Sequence, residues 1–215
     1  MIIYGARPSP YVRKVLVIAA EKGIEHEMRP GGFGMGGEEF AEASPFARIP
    51  ALRDGDFLLS DSSAIATYFE AIRPDPQLIP DDPKAKAKTV WFDEFSDTIL
   101  IGTFVKMFFH RVVGKALGRP VDEAIAAQAE ADELPQVLGY LEKMVTDSGF
   151  LIGDRLTLAD ISVVSPFANL AHCCTSDWPV QFPGLKAYVD GIMARPSFAA
   201  ILAAEEPAMK HLLAA

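Results

Sequence analysis

The chain has 215 residues, half of them apolar and fewer than a quarter charged, with a formal charge of −9 from 20 basic and 29 acidic residues. This is globular composition, long enough for one large domain or two small ones. The acidic balance argues against nucleic acid and anionic membrane as partners, and no apolar run approaches the roughly 18 residues of a spanning helix.

Met1 to Gly5 reads directly as a strand, with no basic, apolar leader before it. Pro8 and Pro10 break it. Tyr11 to Lys22 has helical apolar spacing through Val12, Val15, Leu16 and Ala19, and Gly23 is a stop signal. Glu25 to Arg29 is a second strand, edge-like because it is charged. Gly31 to Gly37 is a glycine-rich loop; no lysine follows in the pattern of a phosphate cradle. Glu38 to Ala43 fits a short helix. Ala51-Leu52-Arg53 and Phe57-Leu58-Leu59 flank Asp54-Gly55-Asp56, a hairpin signal. Ser60 to Ile72 is the next helix. Four prolines between Arg73 and Pro83 mark a linker.

Everything after Pro83 is helical in pattern. Lys84 to Val113 is predicted as one long helix, and a second runs from about Pro120 to Val145, bent at Pro135. Further helices are expected over Thr157–Leu170, from Pro183 to about Ala194, and from Pro196 onward. Thr157-Leu158-Ala159-Asp160 has the form of a capping box, a structural motif. Cys173 and Cys174 are adjacent. They offer neither a disulfide framework nor metal-ligand spacing, and they fit a reducing, cytoplasmic setting.

Two stretches carry candidate chemistry. Pro50 has no N–H, and a cis bond before it would turn the backbone of Ile49 outward to pair with an extended peptide. Asp61-Ser62 opens a helix, whose unpaired N–H groups favour a carboxylate. A peptide's backbone and its terminal carboxylate could therefore be held side by side, although an edge strand and an ordinary cap explain either half alone. Ser9, before Pro10, stands at the start of the first helix. Serine there is also the N-cap signature, and a hydroxyl used as a cap is taken to be lost to a ligand. Phe104, Met107, Phe108 and Arg111 fall at i, i+3, i+4 and i+7. They could line an apolar pocket, although such a stripe is more often core.

These stretches, with Ser9-Pro10-Tyr11 upstream and Gly153 to Asp160 downstream, resemble the cytosolic glutathione transferase superfamily, in particular its serine-type, bacterial-like members. The resemblance covers nearly the whole chain. It implies α/β plus all-α architecture: a thioredoxin-like glutathione-binding domain over residues 1–76, then an all-helical domain over 84–215. It implies a cytoplasmic homodimer in which Ser9 stabilises the thiolate of glutathione, the co-substrate, for attack on a small hydrophobic electrophile, a detoxification chemistry that needs no metal. By the same resemblance Arg48, Ile49, Pro50, Asp61 and Ser62 bind glutathione. Tyr11, Phe104, Met107, Phe108 and Arg111 would face the electrophile. Tyr4 and Tyr11 are rival hydroxyl donors to Ser9. One departure is clear: Gly31 to Ala43 contains no Lys, Arg, His, Asn or Gln to meet the glycyl carboxylate. It supports a second reading, a non-enzymatic binding or regulatory protein that keeps the fold.

Overall fold

The computed structural model describes residues 1–214. The chain divides into two compact units, Met1–Ile79 and Pro80–Ala215.

The first unit is a four-stranded sheet with three helices. β1 (Ile2–Gly5) leads into α1 (Pro10–Glu21), and β2 (Glu27–Pro30) returns parallel to β1. After α2 (Gly37–Ala43), the hairpin β3 (Ala51–Asp54) and β4 (Phe57–Ser60) adds antiparallel strands, and α3 (Ser62–Ile72) follows. The strand order is β2-β1-β3-β4, the thioredoxin-like arrangement that the βαβ, ββα order implies. The period-2 alternation of strand side chains divides the sheet into two faces. Tyr4 and Ala51 pack with Phe40 and Ala43 of α2, joined by Ile2, Ile49 and Leu58. Their neighbours Ile3 and Leu52 pair in register and point the other way, where both are fully buried. The hairpin turns at Gly55, whose φ of 62° a side chain would strain.

The proline-rich segment after α3 is anchored to this unit. Lys22, buried at the end of α1, donates to the carbonyls of Arg73 and Pro76, each at 2.8 Å, and pairs with Glu70 at 2.6 Å. Glu70 in turn accepts from the N–H groups of Leu78 and Ile79. In residues 73–79, which composition marks as a linker, Arg73 O, Pro76 O, Leu78 N and Ile79 N are thus met by two side chains.

In the second unit Asp82 caps a helix over residues 83–116 by accepting from Lys84 N and Ala85 N. This helix is interrupted twice by π-turns, at Phe95–Leu100 and Phe109–Val113. A second helix over residues 123–144 carries a π-turn at Ala129–Glu133. That turn lies just before Pro135. A proline has no N–H to offer the residue four before it, here Ala131, and the wider turn lets the helix continue. The helix expected over Thr157–Leu170 is two helices, Leu158–Val164 and Phe167–Leu170, because Pro166 breaks it. Leu158–Val164 is buried along its whole length and packs against Pro83–Glu94 and Pro183–Met193.

The capping box at its start closes a larger network. Asp160 Oδ2 accepts from Thr157 N at 2.8 Å and Thr157 Oγ1 at 3.0 Å, and Oδ1 accepts from Leu151 N at 2.8 Å and Tyr188 Oη at 3.0 Å. Four donors from three segments converge on one buried carboxylate. The structural role that the sequence motif suggests therefore extends beyond the cap.

Candidate functional site

Ser9 is the N-cap of α1, half-buried, with Pro10 at the first helical position. Its Oγ accepts from Val12 N at 3.5 Å, the outer limit of a hydrogen bond. Its own N–H donates to Ala6 O at 3.0 Å, which fixes the turn after β1. The opposition set up by the sequence, cap or ligand donor, does not hold chemically. A hydroxyl has two acceptor lone pairs and one proton. The cap uses a lone pair and leaves the proton available. The rival Tyr4 is differently placed: it is buried and donates to Glu39 at 3.3 Å. Tyr11 is half-buried in the first turn of α1.

The Ile49–Pro50 bond is cis, and among the described residues the N–H and C=O of Ile49 make no hydrogen bond. The Ile49 side chain packs on the Tyr4–Phe40 cluster. A half-buried residue with a packed side chain and an unpaired backbone is an edge onto which an extended peptide can add. Pro50 O accepts from Asp61 N at 3.3 Å and joins this edge to the start of α3. Asp61 has a φ of 92°, in a region that few non-glycine residues occupy and that clusters at functional sites. Its Oδ1 accepts from Ser63 N and Ala64 N, both at 2.9 Å. Oδ2 has no partner among the described residues. Ser62 is the first residue of α3 and only 2% exposed, so a ligand can reach no more than an edge of it. Arg48 is exposed, and its guanidinium has no partner among the described residues; its backbone is pinned at N and O by Ser44 Oγ.

Lys14, which follows Ser9-Pro10-Tyr11 in the sequence, makes a contact that its helical position does not announce. Helical spacing sets Arg13 and Lys14 on the polar side of α1, yet both are buried, and Lys14 Nζ donates to Ser63 Oγ at 3.2 Å.

The stripe on the long helix separates into different environments. Phe104 and Met107 are buried, Phe104 edge-on to Phe167 at 5.3 Å, and Phe108 is half-buried. Arg111 lies inside the second π-turn, so the 3.6-residue spacing that groups it with Phe104 is lost. Its guanidinium pairs with Glu123 and Glu130 and donates to Cys173 O. Arg111 is a structural brace, and Phe104 and Met107 belong to the packed interior. His110 accepts from Asp122 N at 3.0 Å through Nδ1, as a satisfied histidine should.

Glu130, in the third π-turn, accepts from Arg111, from the N–H groups of Thr175 and Ser176 at 2.6 Å each, and from Thr175 Oγ1. Burial pushes its carboxyl up, but Arg111 and the two N–H groups outweigh that and hold it at about 2. Burial raises the Cys173 thiol to about 12 and also raises that of Cys174. Both shifts lower the thiolate fraction, the form that acts as a nucleophile.

Comparison with known proteins gives these geometries a family. Residues 3–77 match the N-terminal domain of glutathione S-transferase, and residues 110–205 match its C-terminal domain. A glutathione S-transferase from Hyoscyamus muticus is 31% identical over 204 residues, covering 92% of this chain and 95% of that protein. The chain belongs to the glutathione S-transferase family. Among solved structures, the maize transferase I in complex with an atrazine glutathione conjugate superposes with a TM-score of 0.85 at 27% identity, covering 96% of this chain and 98% of the other. A theta-class transferase from Xanthomonas axonopodis with glutathione bound gives a TM-score of 0.80 at 25% identity, covering 94% and 96%. The transferase fold thus extends over nearly the whole chain.

Proposed function

We propose that this transferase joins the thiol of glutathione to a small hydrophobic electrophile, with the Ser9 hydroxyl donating to the thiolate. The observation that carries the reading is the Ser9 hydroxyl at the start of α1, where the cap contact from Val12 N at 3.5 Å occupies a lone pair and not the proton. The magnitudes are adequate. A free thiol near 8.5 must drop by about two units to ionise at neutral pH, which asks for roughly 2.7 kcal/mol. A hydrogen bond to a charged group supplies about 1.5–3 kcal/mol, and a helix N-terminus about 0.3–1 kcal/mol more. Catalysis then rests on thiolate generation and proximity.

In this reading the cysteinyl backbone of glutathione pairs with Ile49 beside Pro50. The γ-glutamyl carboxylate meets Ser62 at the α3 N-terminus, and its ammonium meets the unpaired Oδ2 of Asp61. Arg48 is the exposed cation nearest to Ile49 in the sequence. The protein acts as a cytoplasmic homodimer in detoxification. Exposed apolar side chains in both units, Phe46 (86% exposed) and Val90 and Trp91, are candidates for burial between copies. Retention on immobilised glutathione with turnover of 1-chloro-2,4-dinitrobenzene, lost in large part in Ser9→Ala, is the expected result. Retention without turnover would favour the non-enzymatic reading.

A further inference from the structure

A cavity of about 220 Å³ lies in the helical unit, between the helix over residues 123–144 and the chain that joins Leu170 to Pro183. Leu134, Pro135 and Leu138 line it from the helix, and Trp178 and Phe182 from the connection. Both rings are half-buried and already set in place. Trp178 packs on Phe167 with ring centroids 5.4 Å apart. A Cβ built on Gly139 would lie 3.6 Å from Phe182 Cε1, so this ring rests against the helix where it carries no side chain. Just before the aromatic wall, Glu130 holds the connection through the N–H groups of Thr175 and Ser176.

The polar groups of the lining select the charge of an occupant. Among the described residues, Glu130 is the one charged group that borders the cavity. An ionised carboxylate has about four acceptor sites. Arg111, the two N–H groups and the Thr175 hydroxyl already fill those of Glu130. A charged ligand would therefore give up its hydration and meet no free partner of opposite sign. The indole N–H of Trp178 and the side-chain amide of Gln181 make no hydrogen bond among the described residues, and both belong to the lining. They suit one hydroxyl or carbonyl group. Size narrows the choice further. An apolar cavity of about 150 Å³ takes up benzene, and sites for drug-sized ligands begin near about 300 Å³.

We infer that this cavity binds a neutral, planar aromatic molecule of one or two rings that carries a single polar group. The faces of Trp178 and Phe182 supply the contact area, and Gln181 fixes the polar group. The site lies wholly within the helical unit, and the inference does not use the glutathione reading.

Titration calorimetry with 2-naphthol, with and without S-hexylglutathione, tests it on the wild type and two variants. Ala131 and Gln181 line the cavity at exposed positions. Ala131→Phe fills it from the helix and Gln181→Trp from the connection. Each should weaken 2-naphthol binding by about tenfold or more, with the melting curve unchanged. The wild type should bind 2-naphthoate, the same rings with a negative charge, about tenfold more weakly than 2-naphthol. S-hexylglutathione should leave 2-naphthol binding in place. No binding of 2-naphthol to the wild type, equal binding of 2-naphthoate, displacement by S-hexylglutathione, or full affinity in either variant overturns the inference.

Discussion

The stretch from Ser44 to Ile65 and the stripe from Phe104 to Arg111 are candidate sites of different kinds. The first presents main-chain groups, aimed by the ring of Pro50 and the positive φ of Asp61. The second is a set of side chains grouped by helical phase. The π-turn at Phe109–Val113 resets that phase and leaves Arg111 locked between Glu123 and Glu130. Backbone features survive the passage from sequence to structure because they are written in residues with restrictive backbone rules. A face of a helix depends on every turn before it, and the π-turn at Phe109–Val113 has no proline or other sequence mark of its own.

The helical unit should therefore answer to stability, and the first unit to ligand. The largest effect is expected at Asp160. Asp160→Ala strips four donors of their acceptor and should cost about 3–5 kcal/mol in chemical denaturation, more than a cap alone. Glutathione affinity of the folded fraction should be unchanged. A loss of affinity at constant melting temperature would erase the distinction between the two regions.

Glu130 ties the stability of the helical unit to pH. Its folded carboxyl sits at about 2, below the unfolded value near 4.5. Its contribution is then fully present above about 4.5 and fades as pH falls toward 2. After allowance for solvent screening it amounts to about 2–3 kcal/mol. Glu130→Gln should lose that much at neutral pH and flatten the acid limb of a stability–pH profile. An identical acid limb in wild type and variant would remove Glu130 as the brace.

In the first unit, Ser62→Ala should weaken glutathione binding by about 1.5–3 kcal/mol, the worth of a hydrogen bond to a charged group, as read by titration calorimetry. The melting temperature should move little. Unchanged affinity would leave the start of α3 as an ordinary helix cap.

The order of elements through Ile72 was legible because the sequence marks its own breaks: Pro8 and Pro10 after β1, Asp54-Gly55-Asp56 in the hairpin, Asp61 before α3. Pro50 and Asp61 also marked the candidate site. Other features were not visible. Lys14 and Lys22 are buried because distant groups, Ser63 Oγ and the carbonyls of Arg73 and Pro76, receive them, and no local spacing encodes that. Asp160 could be read as a cap, but its bonds to Leu151 and Tyr188 come from tertiary packing. The break at Pro166 was there to be read, and the apolar run around it masked it.

In the proposed reading one hydroxyl caps α1 with a lone pair and activates a thiol with its proton. Ultraviolet titration of the glutathione thiolate bound to the wild type and to Ser9→Ala tests it most directly, with melting curves alongside. The bound thiol's pKa should rise by about one to two units in Ser9→Ala, roughly 1.4–2.7 kcal/mol. Turnover at neutral pH should fall about ten- to hundredfold. The 3.5 Å cap is weak, so the stability cost should stay near about 0.5 kcal/mol. An unshifted pKa together with a clear drop in melting temperature would contradict the account and leave Ser9 as a helix cap alone.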